Sequence, residues 1–399
     1  MQATCLPPLV FYVGFLLFIQ LNPSLGFMPA TPPARLRSPA GGLRCQVKPD
    51  EQYLIVPSQL EGTGGGWTIQ ATRPPPKQGT VWARPRPEVG EVQEMGFGSF
   101  GRIYLATDLK TGQEVAVKAE RDIGQKVSAL RAEAETLIHL QGGPGIADVY
   151  WVGKRDLNGE NCNILVMELL GPDMEDLLEL MDKRSVSTKT GLMLAHQMLD
   201  CLSHIHSRGI IHRDIKPENF LMGVKERANK VYLIDYGLSD FFQDEQGNHV
   251  PCKKSKDSLR GTLRYASIPK HEGYEQSRRD DLEELMYVLI YLMRGGLPWC
   301  KEEAQTFDGL EKQQWARARQ MDRVKNLKKN TPMAELCAGL PSVIPQLLQY
   351  SRSLSFEDEP DYDGMKQQVL DAMSELGHEM DFCYDWGNKA PPPKRNRFW

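Results

Sequence analysis

"HRDIKPENF", residues 212–220, sets three unlike side chains at fixed spacing: the carboxylate of Asp214, the ammonium of Lys216 two residues on, and the carboxamide of Asn219 five residues on. A further carboxylate, Asp235 of "DYG", follows 21 residues after Asp214, and the intervening "LMGVKERANKVYLI" reads as a hairpin. One carboxylate suits orientation of a hydroxyl, and the ammonium suits charge compensation. Asn219 and Asp235 together offer the hard oxygen donors that Mg2+ takes. Tyr236 keeps an aromatic ring beside that carboxylate, and its hydroxyl needs a partner if it is buried.

Toward the N-terminus, "GFGSFGRIYLATD" spaces Gly96, Gly98 and Gly101 as GxGxxG. Dinucleotide-binding folds use the same spacing but follow it with a helix. Here "RIYLATD", the turn "TGQ" and "EVAVKAE" follow, which predicts a strand, glycine turn, strand hairpin. In that arrangement Gly96, Phe97, Gly98, Ser99, Phe100 and Gly101 fold over a triphosphate, with Ile103 on the strand that leaves the turn. Lys118 of "VAVK" then reaches the α and β phosphates and needs a carboxylate to orient it. "VSALRAEAETLIHL" is helix-like, with apolar positions at Leu130, Ala134, Leu137 and Ile138, and it offers Glu133 as the favoured carboxylate with Glu135 as the alternative. "CNILVMELLGPDMEDLL" reads as a buried strand, a hinge and a helix start. Met167 would stand behind an adenine ring, with the Glu168 carbonyl and the Leu170 amide facing its edge.

The joint order of glycine turn, lysine, glutamate, "HRD" loop and "DYG" fits phosphoryl transfer from ATP with Mg2+, a reaction that asks mainly for alignment and charge compensation. Beyond "DYG", the stretch "GTLRYASIPKHEGYEQSRRDDLEELMYVLIYLMRGGLPW", Gly261 to Trp299, closely resembles the casein kinase 1 family, as do "ELLGPDMEDLL", "RSLSFEDEPDY" and "FCYDW". Vaccinia-related kinases share "DYG", but "HRDIKPEN" and "GTLRYASI" favour casein kinase 1. The resemblance spans roughly residues 88–386. It implies an α+β, bilobal protein kinase fold, with an antiparallel β-rich small lobe and a mainly helical large lobe.

It further implies a serine/threonine kinase dependent on ATP and Mg2+, with Asp214 and Lys216 catalytic, Lys118 on the phosphates, and Asn219 and Asp235 on the metal. Asp281 would hydrogen-bond the backbone of the catalytic loop. Arg264 would supply one cation of an anion site for acidic or already phosphorylated protein substrates. The second cation of that site falls near Gln320, flanked by Arg317 and Arg319, which weakens the case for strong dependence on priming. Ser255 and Ser258 read as exposed loop serines rather than switches. A scaffold that binds nucleotide and transfers nothing is the competing class, and the complete catalytic set argues against it.

The 399 residues carry a formal net charge of -4 and a pI near 6.1, so no global field draws the chain to nucleic acid or anionic membrane. Protein substrates are expected, no nucleic acid, and a monomer. Eight cysteines without a CxxC pair read as free thiols.

The first acidic residue is Asp50. "LVFYVGFLLFIQL", Leu9 to Leu21, is too short to span a bilayer and suits the apolar core of a signal peptide over residues 1–26. "FMPATPPARLRSPAGGLRCQVK" follows, basic and acid-free, so residues 27–50 read as a transit peptide. The pair resembles the bipartite presequence of plastids of secondary origin; secretion or retention in the ER lumen is the alternative. No transmembrane helix is expected in the mature form. Residues 51–87 form a Gly/Pro-rich linker, residues 88–386 the main domain, and residues 387–399 a basic, proline-containing tail.

Overall fold

The computed structural model describes residues 67–68, 94–98, 101–108, 111–124, 128–157, 159–244, 246–254, 261–300 and 310–387; for residues 67–68, 94–98 and 310–317 it describes the backbone alone. The expected presequence and C-terminal tail lie outside these residues, as do Ser99, Phe100, Ser255 and Ser258.

Strands β1 (Trp67–Thr68), β2 (Glu94–Gly98), β3 (Gly101–Asp108), β4 (Glu114–Arg121), β5 (Val149–Leu157) and β6 (Glu160–Glu168) pair antiparallel in the order β1-β3-β4-β6-β5, with β2 also on β3. Trp67 and Thr68 sit within the stretch read as linker, paired with Asp108 and Thr107. Alternation along β4 decides what each face does. Val115, Val117 and Ala119 join Trp151, Ile164 and Val166 in a small core, while Ala116 and Lys118 face the other way.

Helix α1 (Ala129–Leu140) covers that second face. Ser128 caps it, accepting a hydrogen bond from the Arg131 amide. Leu130, Glu133, Ala134, Leu137 and Leu140 form its buried stripe. Ile138, counted in the sequence among the apolar positions, is 43% exposed because it lies about 100° round the helix from Leu137; Leu140 takes the buried place.

The remaining chain is mainly helical: α2 (Met174–Glu179), α3 (Thr188–Ser207), α4 (Ile268–His271), α5 (Arg278–Arg294), α6 (Leu310–Asn330), α7 (Met333–Leu336), α8 (Val343–Ser353) and α9 (Tyr362–Glu375). Helix α5 is apolar on every side from Leu285 to Met293 and is accordingly buried throughout, with α3 and α8 packed on it. Past α9 the chain doubles back to the start of α3. Asp385 accepts from the Ser187 amide and hydroxyl, Lys189 pairs with Asp381, and Trp386, 1% exposed, enters the main core stacked on Tyr384.

Two small ladders set the site. β7 (Ile210–Ile211) pairs with β10 (Asp240–Phe241), and β8 (Phe220–Met222) pairs with β9 (Val231–Leu233). Residues 212–219 and residues 234–239 are therefore neighbouring loops tied at both ends. Among the described residues no helix is long and apolar enough to cross a membrane, and the described cysteines are all free.

Candidate active site

Lys118 is 5% exposed and its ammonium lies 2.6 Å from Glu133 Oε2 and 2.8 Å from Oε1. Glu135, two residues on, points outward and pairs with Arg131 at 3.0 Å. Burial raises the pKa of Glu133, with the Lys118 charge opposing. Ile103 is the cross-strand partner of Lys118, and Met167 that of Ala116, so these four share one face of the sheet. The glycine turn closes at the Gly98–Gly101 pair. A Cβ on Gly101 would lie 2.1 Å from the Ala119 carbonyl oxygen, which accounts for glycine there.

Asp281, fully buried at the start of α5, organises the loop below. Its Oδ2 accepts from the His212 amide at 2.7 Å and its Oδ1 from the Arg213 amide at 2.9 Å, while His206 Nε2 lies 2.9 Å from Oδ2. Burial opposes its charge, but His206 and, more weakly, His212 through its charge and its amide hold its carboxyl below the ordinary range. Arg213 adopts the left-handed conformation at φ 68, sparsely populated for a residue with a side chain.

The carboxylate of Asp214 is gripped on both oxygens. Lys216 Nζ donates to Oδ2 at 2.7 Å, and the Thr262 amide donates to Oδ1 at 2.9 Å. Gly261, at φ +92, leads Thr262 in; a Cβ there would come within 2.8 Å of Oδ1. Burial works against ionisation of Asp214, but Lys216 and more distant His212 and Lys270 outweigh it and lower its pKa.

Asn219 Nδ2 donates to the Asp214 carbonyl at 2.8 Å, which fixes the amide and turns its oxygen away from that carbonyl. The Ile234 amide donates to the Asn219 carbonyl at 3.0 Å, bringing Asp235 alongside. Asp235 is itself left-handed at φ 64, the second such residue with a side chain in the site. The Tyr236 ring is 2% exposed and edge-on to His212, centroids 5.2 Å apart, and its hydroxyl donates to the Leu233 carbonyl at 3.2 Å. The extra oxygen thus has its partner.

The sheet thus holds a buried lysine–glutamate pair, the two loops hold a gripped aspartate, an oriented asparagine and a left-handed aspartate, and the charge of Asp235 acts on Glu133. A family model for the protein kinase domain matches residues 89–355. The chain belongs to the protein kinase family. Its antiparallel small lobe and helical large lobe have the bilobal kinase fold.

Protein kinases transfer phosphoryl groups to proteins using ATP with a divalent metal. In this kinase Asn219 and Asp235 fit such a metal: one carboxylate and one amide oxygen suit Mg2+, which keeps waters and phosphate oxygens for its other positions. Among the described residues no cluster of three or more His, Cys, Asp or Glu side chains forms a closed cage.

At the hinge, Met167, Glu168 and Leu170 are 7%, 6% and 2% exposed. The Glu168 carboxylate is held by the Tyr232 hydroxyl at 3.2 Å and by Arg227 at 2.9 Å, and Arg227 also reaches Asp148. The Gly171 amide, 2.7 Å from the Met222 carbonyl, anchors the chain's entry into the large lobe.

The Arg264 guanidinium lies 5.8 Å from the centroid of the Tyr265 ring and 5.6 Å from that of Tyr291. Arg319 and Gln320 lie on α6 with the backbone of Arg317. Lys328, fully buried on the same helix, donates to the Leu263 and Ala266 carbonyls either side of Arg264. Sequence reasoning did not reach Thr262, Lys328 or the His206 link. Thr262 acts through its backbone amide, which no side chain announces, and Lys328 stands among the other basic residues of α6.

Proposed function

We propose that this protein kinase phosphorylates serine and threonine hydroxyls and belongs to the casein kinase 1 group. The observation that carries the reading is the grip on Asp214, with Lys216 on one oxygen and Thr262 on the other. A carboxylate held in this way, and ionised, presents a fixed acceptor for the proton of an incoming hydroxyl. Lys216, on the same carboxylate, supplies positive charge where the transferring phosphoryl group gathers its own. The Lys118–Glu133 pair and the turn from Gly96 through Phe97, Gly98, Ser99 and Phe100 to Gly101 hold the phosphates from above. Met167, Glu168 and Leu170 with Ile103 enclose the base, and Asn219 with Asp235 holds Mg2+, which neutralises phosphate charge when bound.

Lys216 supports the serine/threonine assignment, and Arg264 supports acidic sites in the substrate. Acidic or primed sites are the expected preference, and Gln320 in place of a second cation argues against a strong dependence on priming. Asp214→Asn is expected to abolish transfer from ATP to casein while MgATP still binds. Wild-type protein that binds MgATP and transfers nothing to casein or to a serine/threonine peptide library would instead mark a scaffold. Plastid import by the secretory route rests on the composition of residues 1–50. A fluorescent fusion of residues 1–60 should reach the plastid, and a cytosolic or secreted fusion would refute that route.

A further inference from the structure

The catalytic loop rests on a second buried ion pair. Lys270 Nζ on α4 lies 2.9 Å from Glu284 Oε1 on α5, with both side chains 1% exposed. Neither stops at the other. Lys270 also donates to the carbonyl of Arg213, and Glu284 Oε2 accepts from the amide of Ile215 at 3.2 Å. Those two backbone groups belong to the residues immediately before and after Asp214.

A buried lysine–glutamate pair contributes little net stability, because desolvating both ions offsets their attraction and an apolar pair of the same volume would serve as well. The placement argues for another purpose. The Arg213 carbonyl belongs to a residue in the left-handed conformation, and an ammonium on that carbonyl favours its orientation. On the far side, a carboxylate on the Ile215 amide fixes the next peptide. The backbone that carries Asp214 is thus fixed at both flanking peptides, by two charges that also neutralise each other.

We propose that Lys270 and Glu284 are positioning residues for phosphoryl transfer, acting as one unit through the Arg213 carbonyl and the Ile215 amide to set the direction in which Asp214 presents its carboxylate. They touch neither substrate nor nucleotide. The inference rests on the reading of Asp214 as the residue that orients the substrate hydroxyl, and it adds the support that reading needs.

The test uses the full chain with Lys270→Met, Glu284→Leu and the double variant. Measured are kcat, KM for ATP and for casein, and the melting temperature. Each single variant is expected to lower kcat by about tenfold or more, because a small misplacement of a reacting group is costly, while KM for ATP stays within about twofold. The double variant is expected to fall no further than the worse single one, since either change already frees the loop. Lys270→Met leaves a carboxylate buried without its counterion and is the variant most exposed to misfolding. The double variant removes both charges together, so its kcat still decides the matter.

Unchanged kcat in a folded double variant would overturn the inference. So would a loss of activity that only tracks the folded fraction, or a rise in KM for ATP at constant kcat. Inactive wild-type protein would instead refute the kinase reading itself, so the two failures are distinguishable.

Discussion

The Arg213 guanidinium lies 3.0 Å from the carboxylate of Asp240, and its Nε donates to the Leu238 carbonyl at 2.6 Å. The arginine next to Asp214 is therefore tied to the segment after "DYG" by a carboxylate already in the sequence. Protein treated with phosphatase should keep full activity. Asp240→Ala should lower kcat by up to about fivefold, since Asp240 is half exposed and such a pair contributes about 1 kcal/mol or less. Added salt should narrow the gap between the two proteins. A wild type that gains activity only after phosphorylation would refute this.

Lys118→Met removes the counterion of a buried carboxylate. Transfer should fall by at least about a hundredfold, and the stability loss should depend on pH. Glu133 already has its pKa raised by burial, and without Lys118 it rises further. A carboxyl raised on folding keeps its full contribution below its unfolded pKa and loses it as pH rises. The melting temperature of Lys118→Met should approach that of wild type near pH 5 and fall behind it toward pH 8. Parallel melting curves across that range would contradict the account.

Tyr236→Phe deletes the hydroxyl on the Leu233 carbonyl and keeps the ring against His212. Stability should drop by about 1 kcal/mol, the net contribution of one buried hydrogen bond. Activity should stay within about twofold, because the ring and Asp235 are untouched. A large loss of kcat would assign the hydroxyl a role in transfer.

Asp173 follows the hinge and caps α2, accepting from the Asp176 amide at 2.8 Å. Burial, with the charges of Asp176 and Glu218 adding to it, pushes its carboxyl up to about 8. The folded state thus holds a proton that the unfolded chain releases near pH 4, and stability declines as pH rises between those values. Asp173→Asn keeps the cap acceptor and removes the titration. Its melting temperature should gain on wild type from pH 4 to pH 8 and then run level. A constant difference would show that the carboxyl is already ionised at low pH.

Much of this site was legible because kinase chemistry is written in short runs. Asp214, Lys216 and Asn219 lie within six residues, and their order relative to the glycine turn and Lys118 left few alternatives. Glu133 was favoured over Glu135, and the structure seats it on the buried stripe with Leu130 and Leu137 while Glu135 turns to solvent. The pattern failed at Ile138, which was counted with Leu130, Ala134 and Leu137 but lies at the edge of that stripe and is exposed. The hairpin read between Asp214 and Asp235 is present as the β8–β9 ladder, whereas the β7–β10 ladder stayed hidden, since strands of two residues have no period to detect. Lys270 and Glu284 were hidden for another reason. They are fourteen residues apart, and α5 is buried on all sides, so no polar face marks which of its acids does what.

The return of the chain from α9 to α3 sets a practical limit on how this kinase can be made. The family pattern ends at residue 355, yet Trp386 is seated in the main core and Asp385 and Asp381 fasten the start of α3. A recombinant protein cut at the pattern's edge would lose α9 and leave that seat open to water, inviting aggregation during purification. The shortest soluble product should instead retain Trp386, with any affinity tag placed after it.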